Sequence, residues 1–147
     1  MTTRRAFTEA AIALLLAGAI PAFARQRTDV TVYKSPTCGC CGEWVKHMRA
    51  NGFSVNVHEV EDVTPYRRRS LVPDELASCH TALIDGYAIE GHVPAADIRR
   101  LLRDRPLVIG LSVPGMVAGS PGMEQGPPQP YATIAFDGRG MRVFAQH

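Results

Sequence analysis

The chain has 147 residues, 46% of them hydrophobic, with four cysteines and a formal net charge of +2. That length supplies one modest core. So small a charge provides no basic field to hold nucleic acid or an anionic membrane surface, and both partners are set aside.

Residues 1–24 read as an address. Arg4 and Arg5 precede an uncharged apolar run from Ala10 to Ile20, and Ala22-Phe23-Ala24 supplies the small-x-small pattern of a cleavage site. Thr3-Arg4-Arg5-Ala6-Phe7 matches in part the twin-arginine signal, whose pathway exports folded proteins. The apolar run is about half the roughly 20 residues that a spanning helix needs. The segment is therefore expected to be removed, leaving residues 25–147 as one periplasmic domain without membrane insertion.

The mature part opens on Asp29-Val30-Thr31-Val32-Tyr33, an alternating β-branched run that predicts a strand. It leads directly into Cys38-Gly39-Cys40-Cys41. From Gly42 the period changes: Trp44, Val45 and Met48 fall at helical spacing, and Asn51-Gly52 stops the helix. Phe53 to His58 alternates again as a second strand, and a strand-helix-strand order implies parallel pairing by a right-handed crossover. Thr64-Pro65 predicts a short helix, capped by the threonine hydroxyl, through the basic run Arg67-Arg68-Arg69, which reads as a solvated face.

After a turn at Val72-Pro73-Asp74 comes the fourth cysteine, Cys79. Thr81 to Ile84 and Tyr87 to Ile89 flank Asp85-Gly86, a tight-hairpin signal. Pro94 then opens a helix whose Ile98, Leu101 and Leu102 are spaced to cover a sheet. From Gly110 to Pro130, glycine or proline fills ten of 21 positions, so no regular structure is expected there. A loop of that length is either disordered or functional, and it repeats Pro-Gly-Met at 114–116 and 121–123. Tyr131 to Phe136 and Met141 to Ala145 close the chain as a second hairpin around Asp137-Gly138.

The predicted class is α/β: a mixed sheet flanked by helices, with a Gly/Pro/Met-rich loop and a C-terminal β-hairpin. The element order resembles the thioredoxin and glutaredoxin fold. That resemblance implies that Cys38, Cys40 and Cys41 sit at the amino end of the first helix, and that the loop before the third strand, which carries Cys79, packs against them. Thioredoxins carry a cis-proline in this loop, where the present chain has Ser78-Cys79-His80-Thr81.

Two structural disulfides are the default reading of four cysteines in an oxidising compartment. Here such a scheme must close a ring of four residues or fewer, which argues against it. The Cys38/Cys41 spacing is that of dithiol oxidoreductases, and thiols at a helix amino end are expected to have lowered pKa values. Thiolates of that kind exchange disulfides or bind soft metals. The extra thiol of Cys40 invites dead-end pairings in an exchanger but helps a metal site. Cu(I) suits clustered, bridging sulfurs. A tetrahedral Zn(II) site fits the ligand count, though consecutive cysteines seldom point both sulfurs at one ion.

Further donors are available. Met116 and Met123 are soft thioethers that either reach the site or fill apolar gaps. His80 either ligates or orients a thiolate, and His92 is expected to make a structural hydrogen bond. His47, His58 and His147 read as surface residues, and Trp44 and Tyr33 as packing around the site.

Four separated strings carry a more specific likeness: Ser35-Pro36-Thr37-Cys38-Gly39-Cys40-Cys41, Ala77-Ser78-Cys79-His80-Thr81-Ala82, Gly91-His92-Val93-Pro94, and the two Pro-Gly-Met segments. Together they resemble the periplasmic copper-resistance proteins of the CopG type, over nearly the whole mature chain. The resemblance implies a Cu(I)-thiolate cluster of several ions held by Cys38, Cys40, Cys41 and Cys79, and a role in envelope copper handling, with copper redox activity a further option. A copper exporter or a multicopper oxidase is the protein partner such a role would call for. The alternative from the same residues is a thiol-disulfide oxidoreductase using Cys38 and Cys41.

Overall fold

The computed structural model describes residues 27–147, so the export signal expected over 1–24 lies outside the described residues. Seven strands of the described residues make one mixed sheet in the order β2-β1-β3-β4-β5-β6-β7. The strands are β1 (Asp29–Lys34), β2 (Ser54–Glu59), β3 (His80–Ile84), β4 (Tyr87–Gly91), β5 (Gly110–Val113), β6 (Ala132–Asp137) and β7 (Gly140–Gln146). Among the described residues three helices, α1 (Gly39–Ala50), α2 (Thr64–Arg69) and α3 (Ala95–Asp104), and a 3₁₀ turn at Asp74–Leu76 accompany the sheet. The expected α/β class is thus what the chain adopts. No helix among the described residues is long and apolar enough to cross a membrane.

Side-chain alternation sorts the core into two layers. On one face Val30, Val32, Ala82, Ile84, Ile89, Leu111 and Ala135 meet Trp44, Val45 and Met48 of α1 and Ile98 and Leu101 of α3. On the other, Ala88 and Phe136 meet Val72 and Leu76 from the segment after α2. Parallel pairs β1/β2 and β4/β5 are each bridged by a helix of the first layer, α1 and α3 respectively, as crossover connections require. The remaining neighbours pair antiparallel. The β3/β4 hairpin turns on Asp85 and Gly86, both with positive φ, the geometry that selects such a dipeptide.

Four expectations need correction. The stretch 110–130 is not wholly irregular: β5 is a fully buried strand between β4 and β6. A strand covered on both faces shows no alternation, and at four residues its signal is lost beside so many glycines and prolines. The start of α2 is bonded not through the Thr64 hydroxyl but by Asp62, whose Oδ1 accepts the Thr64 amide at 2.8 Å. Asp137 and Gly140 pair across the last hairpin, which moves its turn to Gly138-Arg139, and Asp137 Oδ1 accepts the Arg139 amide at 2.7 Å. Arg67, finally, is not part of a solvated face: its Nε lies 2.8 Å from Oε1 of the fully buried Glu90.

Candidate metal centre

Strand β1 ends against α1 through a tight turn. The Cys38 amide donates to Ser35 O at 3.1 Å, and the Thr37 amide to Ser35 Oγ at 3.3 Å. Cys38 has extended backbone at the cap position and makes no side-chain cap, which leaves its sulfur free for other work. One turn of helix brings the Cys38 and Cys41 Cα atoms to 5.4 Å, and the two sulfurs are joined in a disulfide. That separation lies within ordinary disulfide range, so the short ring of the Cys38/Cys41 dithiol is closed here. A two-disulfide scheme is nonetheless absent among the described residues: Cys40 and Cys79 are free. Cys40 Sγ sits 3.6 Å from Cys38 Sγ, and Cys41 Sγ lies 3.7 Å from the Cys79 carbonyl.

Cys79 reaches the trio because the loop before β3 is clamped from beneath. Glu90 Oε1 accepts the Ser78 amide at 2.7 Å and Arg67 Nε at 2.8 Å, while its Oε2 accepts the Thr81 hydroxyl at 2.6 Å. Arg67 Nη2 also donates to the Ser78 carbonyl at 2.7 Å. With the loop so held, one donor atom from each of Cys38, Cys40, Cys41 and Cys79 falls within 4.8 Å of all the others.

Two imidazoles complete the surroundings. His92 Nδ1 donates to the Pro121 carbonyl at 2.7 Å, which leaves Nε2 with a lone pair, 3.0 Å from Cys79 Sγ. The structural hydrogen bond expected of His92 is therefore made, and the other edge of the ring faces the sulfur. His80 is fully buried, its ring centroid 4.5 Å from that of Trp44, with Nδ1 3.5 Å from Cys79 Sγ and Nε2 without a partner among the described residues. Burial, then the charges of His92 and Lys34, pull the His80 pKa down to about 3. Burial lowers His92 as well. Both rings are neutral at ordinary pH, the form in which imidazole ligates. Burial, then the nearby Cys40, pushes the Cys79 thiol up to about 12. In the metal-free protein it is a thiol beside a nitrogen lone pair, and a metal ion would have to displace its proton.

The Gly/Pro/Met-rich segment is ordered against this cluster. Its first Pro-Gly-Met docks on the Cys79 loop, with the Gly115 amide donating to Ala77 O at 3.3 Å. Its second docks on α1. Gly122 has φ +90, and a Cβ there would lie 2.7 Å from the Cys40 carbonyl oxygen and 2.8 Å from the Trp44 amide nitrogen. Met116 is largely exposed and Met123 half-buried. The two methionines thus follow backbone that touches opposite sides of the cysteine group. His47 is half-buried rather than a surface residue, its Nε2 accepting the Ala95 amide at 3.0 Å, whereas His147 is exposed as expected, with Nε2 2.9 Å from Asp97. Trp44 packs beside the site as expected, donating to Val93 O at 2.9 Å. Tyr33 stacks instead on Tyr66 and His58.

Two solved structures share this architecture, described as copper resistance protein CopG in form 2 and form 1. Each is 43% identical to this chain and covers 83% of it; the matches span 99% and 98% of those chains, with TM-scores of 0.79 and 0.78. The chain belongs to the CopG family. A family model described as "Protein of unknown function, DUF411" matches residues 76–123, the stretch of this chain that holds Cys79, His80, His92 and both Pro-Gly-Met segments. No curated protein sequence matches the chain.

Proposed function

We propose that this protein is a periplasmic copper-binding protein which, once Cys38 and Cys41 are reduced, holds several Cu(I) ions in a thiolate cluster on Cys38, Cys40, Cys41 and Cys79. His80, Met116 and Met123 add donors around it. Copper is the cargo, and the role is copper resistance in the envelope. A single observation carries the reading: four cysteine donors from two distant segments within 4.8 Å of one another. Soft, closely spaced sulfurs suit Cu(I), which can be bridged by them. The relatives named as copper resistance proteins point the same way. The wholly buried His80 ring turns Nδ1 to within 3.5 Å of Cys79 Sγ, a position from which it could join the thiolates on a metal ion. On this reading β1 to β4 with α1 and α3 form a thioredoxin-like unit, residues 1–24 direct export through the twin-arginine route, and a copper exporter or multicopper oxidase receives the cargo.

Anaerobic titration of the reduced protein with Cu(I), against a chromophoric chelator, tests it. Several ions per chain are expected, with Cys79→Ser losing capacity and at least about tenfold in affinity. Wild-type binding by that variant, or no uptake at all, overturns the reading.

The Cys38–Cys41 disulfide itself favours a second reading, thiol-disulfide exchange. Reduction of insulin by metal-free protein decides it: a pure copper binder leaves insulin essentially untouched.

A further inference from the structure

When Cys38 and Cys41 are joined, half of the four-thiol set is withdrawn, but the donors on the far side of the site are not disturbed. Cys79 Sγ remains 3.0 Å from His92 Nε2 and 3.5 Å from His80 Nδ1, and one donor atom from each of the three lies within 4.8 Å of the other two. Donors that share one ion at about 2.0–2.3 Å stand roughly 3–4 Å apart. The geometry points to a second metal site, Cys79 with His80 and His92, that takes a single copper ion while the Cys38–Cys41 disulfide is closed. It rests on the copper reading above for the identity of the ion, and it shares Cys79 and His80 with the reduced-state cluster, so the two are alternative states of one centre.

Three features separate this group from a chance meeting of polar side chains. The Pro121 carbonyl fixes the protonated nitrogen of His92, so that the lone pair faces the sulfur; ligating histidines are held in the same way by a backbone acceptor. His80, fully buried, turns Nδ1 to the Cys79 sulfur at 3.5 Å, and that ring makes no other hydrogen bond among the described residues. The donor set also differs in kind from the sulfur cluster. Two imidazoles and one thiolate make a mononuclear copper set, and with Cu(I) its net charge is zero, which a buried site tolerates best. On binding, the Cys79 sulfur exchanges its proton for the ion and no electron moves.

A rival for the same ion is a two-sulfur site on Cys40 and Cys79, the two free thiols. The test therefore uses mature protein and its Cys40→Ser variant, both with the disulfide closed and confirmed by intact mass after alkylation. Cu(I) is added anaerobically without thiol reductant, and stoichiometry is read by native mass spectrometry and the ligand shell by X-ray absorption. One ion per chain is expected in both proteins, with one sulfur and two nitrogens around it, and a loss of at least about tenfold in affinity for His92→Asn and for His80→Asn. The spectrum of Cys40→Ser does not depend on either histidine variant folding. An empty disulfide form, a sulfur-only shell, or loss of the ion in Cys40→Ser would overturn the inference. Reduced protein run in parallel keeps the two ideas apart: several ions there with none in the disulfide form sinks this site alone, and the opposite pattern sinks the cluster alone.

Discussion

The two walls of the metal centre are built in different ways. The α1 wall is local: Cys38, Cys40 and Cys41 lie within four residues, placed by one turn and the first helical turn. The opposite wall is assembled from distant pieces, with Cys79 and His80 before and in β3, His92 after β4, and Pro121 and Gly122 from the long loop. Its position depends on the Arg67–Glu90 pair and on a backbone docking point at Gly122, neither next to a cysteine in sequence. A local wall resists single substitutions because its geometry is that of a helix. An assembled wall fails when any one of its supports is removed.

The largest effect is therefore expected at Glu90, whose two carboxylate oxygens hold the Ser78 amide, the Thr81 hydroxyl and Arg67. Glu90→Ala leaves Arg67 without its counter-charge and two buried donors unpaired, and should destabilise the protein by about 3–5 kcal/mol in urea unfolding. Glu90→Gln keeps the shape and most acceptors, and should lose about 1–3 kcal/mol. Cys79 should alkylate faster in either variant at denaturant concentrations where the chain stays folded. Ser35→Ala, in the exposed turn of the local wall, should shift stability by about 0.5 kcal/mol or less. Equal losses at Glu90 and Ser35 would erase the distinction between the walls.

The two Pro-Gly-Met segments sharpen it. At Gly122 positive φ and backbone crowding act together: Gly122→Ala would drive a methyl against the Cys40 carbonyl and the Trp44 amide. A loss of about 2–3 kcal/mol is expected, with His92 released from Pro121 as the loop lifts. Gly115→Ala meets open space and bears only the strain of its φ of +71, about 1 kcal/mol. Urea midpoints together with the His92 ring resonances measure both. If the two variants behave alike, the second segment is not the one seated on the site.

How much of this could be read from residues follows the same division. The local wall was legible because strand, turn and helix each leave a period or a stop signal, from Val30 and Val32 through Trp44 and Met48 to Asn51-Gly52. Cys79 was placed beside the trio by likeness of element order rather than by any local pattern. The supports were not legible. Glu90 lies just past the strand read over Tyr87 to Ile89, where a carboxylate reads as a solvated strand end, and Arg67 is hidden in a run of three arginines whose ordinary meaning is a wet face. His92 carried a signal in Gly91-His92-Val93-Pro94, but which way its ring faces depends on a carbonyl 29 residues away. Strand β5 lacked alternation because both its faces are covered.

A modest effect, dependent on pH, is predicted for a support that links the two helices behind the local wall. His47 of α1 accepts the Ala95 amide, so it satisfies a donor in the first turn of α3, whose own cap position, Pro94, makes no side-chain bond. Burial holds the His47 pKa below its usual 6.5, against an opposing pull from Glu124. The unfolded chain thus takes up the proton first as pH falls, and the stability contributed by the neutral ring is present above 6.5 and lost on acidification. Protonation removes the lone pair that accepts the amide, and it places a positive charge at a helix amino end, where the dipole opposes it. His47→Ala should lose about 1 kcal/mol at pH 7.5, a typical value for a helix cap. The gap between variant and wild type should then narrow toward pH 5, because the wild-type ring is by then being charged as the chain unfolds. Urea unfolding of both proteins across that range measures the gap, and a constant difference would mean that the contact with Ala95 does not depend on the neutral ring.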